Sequence, residues 1–194
     1  MWDPGSDPFS VSHFDEVMNN VYPVLDDLRN QGVIKAVGLG MNQWQMLADF
    51  ARAGDFDAFL LAGRYTLLEQ ESLQELLPLC AEKDVRIIIG GPYNSGILAT
   101  GAIEGATYNY AAAPEPMLAR VRGIEAVCAR HGLPLQAAAL QFPFGHSAVA
   151  TVIPGARTVA EVESNVGFLQ HAIPADFWAE LKQEGLIDAA SPVP

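Results

Sequence analysis

Val85-Arg86-Ile87-Ile88-Ile89 is the stretch that decides the fold. It is short, apolar and rich in β-branched residues, and two glycines, Gly90 and Gly91, follow it. Such a run is typical of a strand in a parallel sheet, where both faces are buried. A helical pattern lies before it, and a glycine-rich connection, residues 90–113, lies after it. The segment is therefore predicted to be one strand of an α/β sheet.

Three further segments have the same character, at residues 33–40, 58–62 and 149–153. Helical periodicity occurs between and around them, near residues 14–31, 44–51, 73–80, 116–131, 134–142, 162–169 and 174–184. Pro23 predicts a kink in the first of these helices. Strands that alternate with helices build either a doubly wound sheet or a barrel. We interpret the four strands as half of a TIM (β/α)8 barrel.

The composition predicts one globular domain over residues 1–194. Half of the 194 residues are apolar, and 23 Asp and Glu residues against 11 Lys and Arg give a net charge of −12. This charge repels phosphate backbones and anionic lipids, so nucleic acid and membrane partners are not expected. No stretch has the length of a spanning helix, and the first residues lack the pattern of a signal peptide. We therefore expect a cytoplasmic protein.

The cysteines and histidines carry no recognisable site. Cys80 and Cys128 fall within helical patterns, with no Cys or His at the spacing of metal ligands. They are predicted to be buried thiols, without a disulfide or a metal. No Ser/His/Asp or Cys/His arrangement is supported by spacing.

Ligands of parallel α/β proteins bind beyond the carboxyl ends of the strands, which here means the loops at residues 40–42, 62–65, 90–96 and 154–158. Thr158 and Glu161 form a predicted capping box at the start of a helix. The helix N-terminus favours a phosphate, although an ordinary N-cap explains the same residues. Gly38-Leu39-Gly40 is not a dinucleotide fingerprint, because Gln43 holds the position of the third glycine.

Four blocks of sequence resemble the aldo-keto reductases, and within them the sugar dehydrogenase branch. The blocks are Gly38-Leu39-Gly40-Met41-Asn42-Gln43-Trp44, Leu61-Ala62-Gly63-Arg64-Tyr65-Thr66-Leu67-Leu68, Pro92-Tyr93-Asn94-Ser95-Gly96-Ile97-Leu98, and Ile153-Pro154-Gly155-Ala156-Arg157 followed by Asn165. The resemblance implies a (β/α)8 barrel that binds a nicotinamide cofactor and moves a hydride between it and a carbonyl or alcohol. It also implies that this chain is the C-terminal half of that barrel and that the N-terminal half is missing.

The resemblance assigns a set of residues to the cofactor by position. They are Asn42 at the nicotinamide carboxamide, Asn94, Ser95, Gly96 and Leu98 at the pyrophosphate, Gly155, Ala156 and Arg157 at the adenosine ribose, and Asn165 at the adenine. Glu161 stands where NADP-dependent members have an Arg for the 2′-phosphate. A carboxylate there favours NAD, and NADP stays possible because Arg157 is close in sequence. Met41, Ala62 and Gly90 depart from the family's usual Ser, Gln and Tyr.

No catalytic residue is assigned. In the family, an Asp, a Tyr and a Lys come from the first three strands, and a His follows the fourth within a His-Asp-Pro stretch. Trp2-Asp3-Pro4 stands at that stretch here. The implied function is oxidation of a small-molecule substrate, an aldose at C1 to its lactone or another alcohol or aldehyde, with the missing half supplying the catalytic groups. The chain alone is expected to be inactive.

Two other functions fit the same residues. One is a non-catalytic half-barrel that binds a nucleotide or a partner and pairs with itself through its open sheet edges. The other is a truncated product without a function of its own. An open half-barrel leaves large apolar side chains in water, each at a cost of about 1.5 to 3 kcal/mol. An isolated monomer is therefore expected to be marginally stable, and association through the open edges or aggregation is expected.

Overall fold

The computed structural model describes residues 12–194. Trp2-Asp3-Pro4 lies outside the described residues. The helices and strands, in chain order, are α1 (Phe14–Glu16), a π-helical turn (Val17–Val21), α2 (Tyr22–Asn30), β1 (Gly38–Met41), α3 (Trp44–Ala53), β2 (Ala58–Ala62), a 3-10 turn (Glu71–Gln74), α4 (Leu76–Glu82), β3 (Arg86–Gly90), a 3-10 turn (Asn94–Gly96), α5 (Ile97–Thr100), β4 (Thr107–Tyr108), β5 (Ala111–Ala112), α6 (Glu115–His131), α7 (Leu135–Gln141), a 3-10 turn (Phe142–Gly145), β6 (Val149–Ile153), α8 (Val159–Leu169) and α9 (Ala175–Gln183).

Four strands form one parallel sheet in the order β1-β2-β3-β6. Neighbours in this sheet are also neighbours in the chain, apart from the small antiparallel β4–β5 hairpin inserted after β3. A doubly wound sheet reverses its strand order at a switch point, whereas a barrel adds its strands in sequence. The topology therefore confirms the predicted arrangement of four parallel, helix-flanked barrel strands.

The register aligns the carboxyl ends of the four strands. Met41 pairs with Leu61, Ala62 pairs with Gly90, and Gly90 pairs with Ile153. Since the strands run in the same direction, the loops that follow them leave the sheet along one edge.

The sheet is buried more completely on one face than on the other. Phe59, Leu61, Ile87 and Ile89 are fully buried in the main hydrophobic core, while the alternate residue Leu60 is partly exposed. The prediction of strands buried on both faces is therefore too strong. A closed barrel covers its inner face with side chains from all its strands, and four strands leave part of that face open.

Strand β1 is shorter than the predicted segment 33–40. Gly32 adopts a left-handed φ of +74°, and the N–H of Val33 donates to the carbonyl of Leu28 at 3.0 Å. These contacts close the C-terminus of α2, so the main chain of Val33 is used by the helix end and not by the sheet. Val33 is consequently 66% exposed.

The other differences between the predicted and the observed secondary structure are confined to single helices and turns. The π-helical turn ends at Val21, two residues before Pro23, so the helix is irregular close to this proline, which has no N–H to continue the α-helical bonds. The helix predicted over 73–80 divides into a 3-10 turn and α4. The connection 90–113 contains α5 and the hairpin, which the sequence analysis did not predict. Gly132 caps α6 with a left-handed φ of +65°.

Cys80 and Cys128 are buried and unpaired, and burial raises the pKa of Cys128 to about 11. This confirms the prediction that both are buried thiols.

Of the helices in residues 12–194, none combines the length and apolar character needed to cross a membrane.

The side chain of Asp57 holds three elements together at the amino ends of the strands. Its Oδ2 accepts a hydrogen bond from the N–H of Val37 at 2.6 Å, just before β1, and another from Arg29 of α2 at 2.7 Å. Partial burial raises the pKa of Asp57, but the hydrogen bonds from Val37 and Arg29 lower it by more. The pKa therefore lies below its ordinary value, and the carboxylate stabilises the folded state.

The substitution Asp57→Asn removes this charge and keeps the shape of the side chain. We expect it to lower the free energy of unfolding at pH 7 by about 1 to 2 kcal/mol, since hydrogen bonds to a charged group contribute about 1.5 to 3 kcal/mol and partial exposure reduces this. Denaturant unfolding of both proteins measures the difference, with Asp55→Asn as the matched control.

The pH dependence follows from the lowered pKa of Asp57. The contribution of the Asp57 carboxylate to the free energy of unfolding is fully present above the ordinary pKa of an aspartate. It is lost as the pH falls through the lower pKa that Asp57 has in the folded protein. The difference in the free energy of unfolding between the wild type and Asp57→Asn is therefore expected to become smaller below about pH 4. Equal stability of the two proteins at pH 7 would contradict this role.

Candidate cofactor site

The predicted cofactor residues lie along the carboxyl edge of the sheet and on the helix beyond it. Asn42 follows β1 directly and is exposed. The segment 94–98 follows β3, and Gly155, Ala156 and Arg157 follow β6 and are exposed. Asn165 lies on α8, which begins just after that last loop. The structure thus brings residues distant in sequence to one edge.

Asn94 joins the loop after β2 to the loop after β3. Its side chain is 3% exposed, its Oδ1 accepts from the Thr66 hydroxyl at 2.5 Å, and its Nδ2 donates to the carbonyl of Gly63 at 3.1 Å. The main chain adds a bond from the N–H of Gly63 to the carbonyl of Gly90 at 2.8 Å. The amide of Asn94 is therefore used within the protein, where it fixes the path of both loops.

The turn at Asn94, Ser95 and Gly96 has an unusual backbone. All three residues have positive φ values, 46°, 60° and 102°. For residues other than glycine this conformation costs roughly 1 to 2 kcal/mol each, and such strain is found preferentially at functional sites. The surrounding hydrogen bonds of Asn94 hold the turn in this form.

The β4–β5 hairpin lies against Ser95. The hydroxyl of Thr107 donates to the carbonyl of Ser95 at 2.7 Å, and the N–H of Tyr110 donates to the Ser95 hydroxyl at 3.1 Å. Both groups of Ser95 are thus engaged by the hairpin. The hairpin turn has positive φ at Asn109 and Tyr110, and asparagine in a two-residue turn was the sequence signal that could have revealed it.

Leu98 has a supporting place in this loop. Its side chain is fully buried in the core, and its N–H donates to the carbonyl of Tyr93 at 3.1 Å. It anchors the turn of residues 94–96 from beneath.

A polar network that the sequence analysis did not identify holds the hairpin down on the β2 loop. The hydroxyl of Tyr108 donates to the carboxylate of Glu69, and Arg64 donates to Glu69 at 3.1 Å and to Asn109 at 3.0 Å. Burial raises the pKa of Tyr108, and the carboxylate of Glu69 raises it further, so its hydroxyl stays protonated. The network therefore acts as a fixed support at neutral pH.

Arg157 and Glu161 interact directly in the loop after β6. The carboxylate of Glu161 accepts from the N–H of Arg157 at 2.6 Å and from its guanidinium at 3.0 Å. Both bonds lower the pKa of Glu161. Thr158 caps α8 by accepting from the N–H of Glu161 at 3.2 Å, so the Thr158 half of the predicted capping box is confirmed. The side chain of Glu161 turns to Arg157, which places a carboxylate beside the helix N-terminus.

Tyr93 links the β3 loop to α8. Its hydroxyl donates to Oδ1 of Asn165 at 2.7 Å, and burial raises the pKa of Tyr93 to about 12. No role for Tyr93 is predicted from the sequence, since nothing in a linear sequence indicates a contact between side chains 72 positions apart.

This edge is suited to bind an extended ligand through amides, hydroxyls and backbone groups. Gly155 and Ala156 leave the β6 loop open, and a methyl group in place of the Gly155 hydrogen would meet no atom within 4 Å. A groove of about 430 Å³ between α1 and α3, lined by Phe14, Met46 and Arg52 among others, includes none of the predicted cofactor residues. Within residues 12–194, no group of His, Cys, Asp and Glu has the geometry of a metal site.

Comparison with known proteins places these features in a family. The profile of the Aldo/keto reductase family matches residues 2–184. The pyridoxal 4-dehydrogenase of Microbacterium luteolum is 41% identical over 166 residues, which are 86% of this chain and 48% of that protein. The D-threo-aldose 1-dehydrogenase of a Pseudomonas species is 37% identical over 174 residues, 89% of this chain and 53% of that protein. The chain spans about half the length of these curated relatives.

Solved structures of an aldo-keto reductase from Bacillus halodurans share the fold. The apo form superposes with a TM-score of 0.73 at 22% identity and covers 93% of this chain and 60% of that one. The holo form gives a TM-score of 0.67 at 24% identity and covers 89% and 57%.

The substitution Asn94→Ala tests the connection between the two loops. It leaves the Thr66 hydroxyl and the Gly63 carbonyl without their buried partner, and it places alanine at a positive φ. We expect the free energy of unfolding to fall by about 2 to 4 kcal/mol, since each unsatisfied buried group costs about 1 to 3 kcal/mol. Denaturant unfolding measures the loss.

Asn109→Ala is the matched control, because Asn109 also has a positive φ, while its hydrogen bond from Arg64 is exposed to solvent and not buried. Asn109→Ala is expected to lower the free energy of unfolding by well under half as much as Asn94→Ala. Equal losses from the two variants would mean that backbone strain alone, and not the buried hydrogen bonds of Asn94, accounts for the effect.

Proposed function

The chain belongs to the aldo/keto reductase family, and we propose that it is the cofactor-binding half of an NAD(P)-dependent oxidoreductase. In this proposal residues 1–194 form a partial barrel domain, and the catalytic Asp, Tyr, Lys and His belong to the half that the chain lacks. The chain alone is then inactive. A cytoplasmic location is part of the same proposal.

The observation that carries the proposal is the line of loop residues along the carboxyl edge of the sheet. Asn42, the turn 94–96, the loop 155–157 and Asn165 follow one another from β1 to α8. A nicotinamide dinucleotide is a long ligand with an amide at one end, a pyrophosphate at its centre and a purine at the other end. The order of polar groups along the edge corresponds to the order of these parts.

Each part of the chain has a distinct role in this proposal. Asn42 binds the carboxamide and fixes the face of the nicotinamide ring, and the turn at Ser95 and Gly96 covers the pyrophosphate. When bound, the cofactor accepts a hydride from the carbon that is oxidised. Gly90 is buried against Leu60 and Ala62, and it has no aromatic ring to stack on the nicotinamide.

The proposed substrate is an aldose, a galactose-, fucose- or arabinose-like sugar that loses two hydrogens at C1. The hydride leaves C1 for the cofactor, the proton of the C1 hydroxyl goes to a base of the missing half, and the product is the lactone. The proposal rests on the likeness to the aldose dehydrogenase of the Pseudomonas species. The related pyridoxal 4-dehydrogenase makes another small alcohol or aldehyde the second candidate substrate.

Titration of the chain with NADH tests the proposal, since cofactor binding does not require the catalytic groups. We expect saturable binding with one NADH for each half-barrel, followed by cofactor fluorescence and by calorimetry. The variants Asn42→Ala and Ser95→Tyr are expected to weaken binding, while Asp55→Asn, at the amino ends of the strands, is not. A chain that is folded but binds neither NADH nor NADPH contradicts the proposal.

The choice between the two cofactors depends on Glu161 in this proposal. Its carboxylate repels a 2′-phosphate and also neutralises Arg157. We therefore propose NAD as the cofactor, with NADP second. The substitution Glu161→Gln removes the repulsion and releases the guanidinium, so the ratio of NADPH to NADH affinity is expected to rise by roughly tenfold.

The measurement is a pair of dissociation constants for each protein, and Glu163→Gln on the same helix is the control for the change in net charge. An unchanged ratio in Glu161→Gln would mean that Glu161 does not face the ribose.

A second candidate function, a half-barrel that pairs with itself, is favoured by the exposed apolar side chains at the two open edges of the sheet. On α8, Val159, Val162, Val166 and Leu169 are 75%, 52%, 51% and 39% exposed and recur at helical spacing. At the other edge, Val21, Val24 and Val33 are exposed near β1. Two copies related by a two-fold axis place β1 of each beside β6 of the other, which gives eight parallel strands.

Light scattering after size-exclusion chromatography tests this pairing. We expect a dimer that strengthens with salt, because each copy carries a charge of −12. Val162→Glu and Val24→Glu should each give monomers, since both edges contribute to one interface, and the exposed Ile103→Glu should not. A monomeric wild type at high concentration, or a dimer that survives both edge variants, contradicts this closure.

A further inference from the structure

We infer that Tyr93 is a positioning residue that fixes the orientation of the Asn165 side chain, so that its amide N–H group, and not its oxygen, faces the adenine of the cofactor. The inference rests on the proposed function, because it concerns the adenine end of that same site. It is carried by the hydrogen bond from the Tyr93 hydroxyl to Oδ1 of Asn165, at 2.7 Å.

Tyr93 is well placed to hold another side chain. Its carbonyl accepts the N–H groups of Gly96 and Leu98, both at 3.1 Å, and its ring packs against the hydrophobic core. A tyrosine side chain has only two rotatable bonds, so an anchored main chain and a packed ring leave the hydroxyl little freedom. Burial keeps this hydroxyl protonated and able to donate at neutral pH.

Asn165 is the side chain whose orientation matters. An asparagine amide has one oxygen that accepts hydrogen bonds and one nitrogen that donates two. On the half-buried face of α8, the Oδ1 of Asn165 points to Tyr93. The opposite end of the planar amide, Nδ2, is then the atom that is free to approach a ligand.

This orientation selects the part of the purine that is recognised. A freely turning asparagine pairs with adenine at both N7 and the 6-amino group. An asparagine that presents its N–H group donates to a ring nitrogen such as N7, which adenine and hypoxanthine share. The site is therefore expected to bind the hypoxanthine analogue of NADH about as tightly as NADH itself, within about threefold.

The bond also couples the two halves of the proposed site. Tyr93 directly precedes the strained turn 94–96, while Asn165 belongs to the helix that follows the β6 loop. Through this bond, a ligand that orders the turn 94–96 also fixes the position of Asn165 on α8, and a ligand that orders Asn165 also fixes the turn. We expect the substitution Tyr93→Phe, which removes only the hydroxyl, to weaken NADH binding about 3- to 10-fold.

The first arm of the test needs no ligand. A double-mutant cycle with Tyr93→Phe, Asn165→Ala and the double variant measures the coupling of the two side chains in the free energy of unfolding. Non-additive losses are expected. Additive losses overturn the inference, because the two side chains would then not interact. The matched control is Tyr108→Phe combined with Asn165→Ala, which is expected to be additive.

The second arm measures the dissociation constants of NADH, its hypoxanthine analogue and reduced nicotinamide mononucleotide, which lacks the adenosine. Tyr93→Phe is expected to weaken the two dinucleotides and to change their ratio, to leave the mononucleotide unaffected, and to add nothing to Asn165→Ala. Equal weakening of the mononucleotide overturns the inference, since it would show a distorted loop. If the side chains are coupled but the wild type binds no dinucleotide, the proposed function fails and the cofactor role of Tyr93 fails with it.

Discussion

The parallel alignment of β1, β2, β3 and β6 is the constraint on which the rest of the molecule depends. It places the four carboxyl ends in register along one edge, so short loops are enough to gather residues from positions 42 to 165. The loops keep their shape through a few buried polar contacts. Asn94 connects the β2 and β3 loops, Glu69 connects the β2 loop to the hairpin, and Tyr93 connects the β3 loop to α8.

The same sheet is exposed to solvent on part of one face and at both edges. Helices cover one face, while the other face is only partly buried and both edges carry exposed valines. Burial of each large side chain contributes about 1.5 to 3 kcal/mol, which is substantial against a total stability of roughly 5 to 15 kcal/mol. The exposed stripe of α8 bears on the proposed pairing of two copies, and the carboxyl-edge loops bear on the proposed cofactor site.

Much of the fold could be predicted from the sequence, because the strand runs at Ala58–Ala62 and Arg86–Gly90 and the capped ends at Thr158 and Gly132 are local signals. The predicted length of β1 was wrong because the N–H of Val33 bonds to the end of a helix and not to the sheet. Composition does not reveal which of these two hydrogen bonds forms. The positions of the edge loops were also predictable. The contacts of Tyr93, Asn94 and Glu69 were not, since they join side chains far apart in sequence.

The carboxyl edge of the sheet is proposed to bind a nicotinamide dinucleotide. Hydrogen–deuterium exchange of the chain with and without NADH tests it most directly. NADH is predicted to slow exchange in residues 91–98, in residues 154–158 and in the first turn of α8, and to leave the loops at the amino ends of the strands unchanged. Unchanged exchange in these edge loops at saturating NADH, or protection confined to the groove between α1 and α3, would contradict the claim.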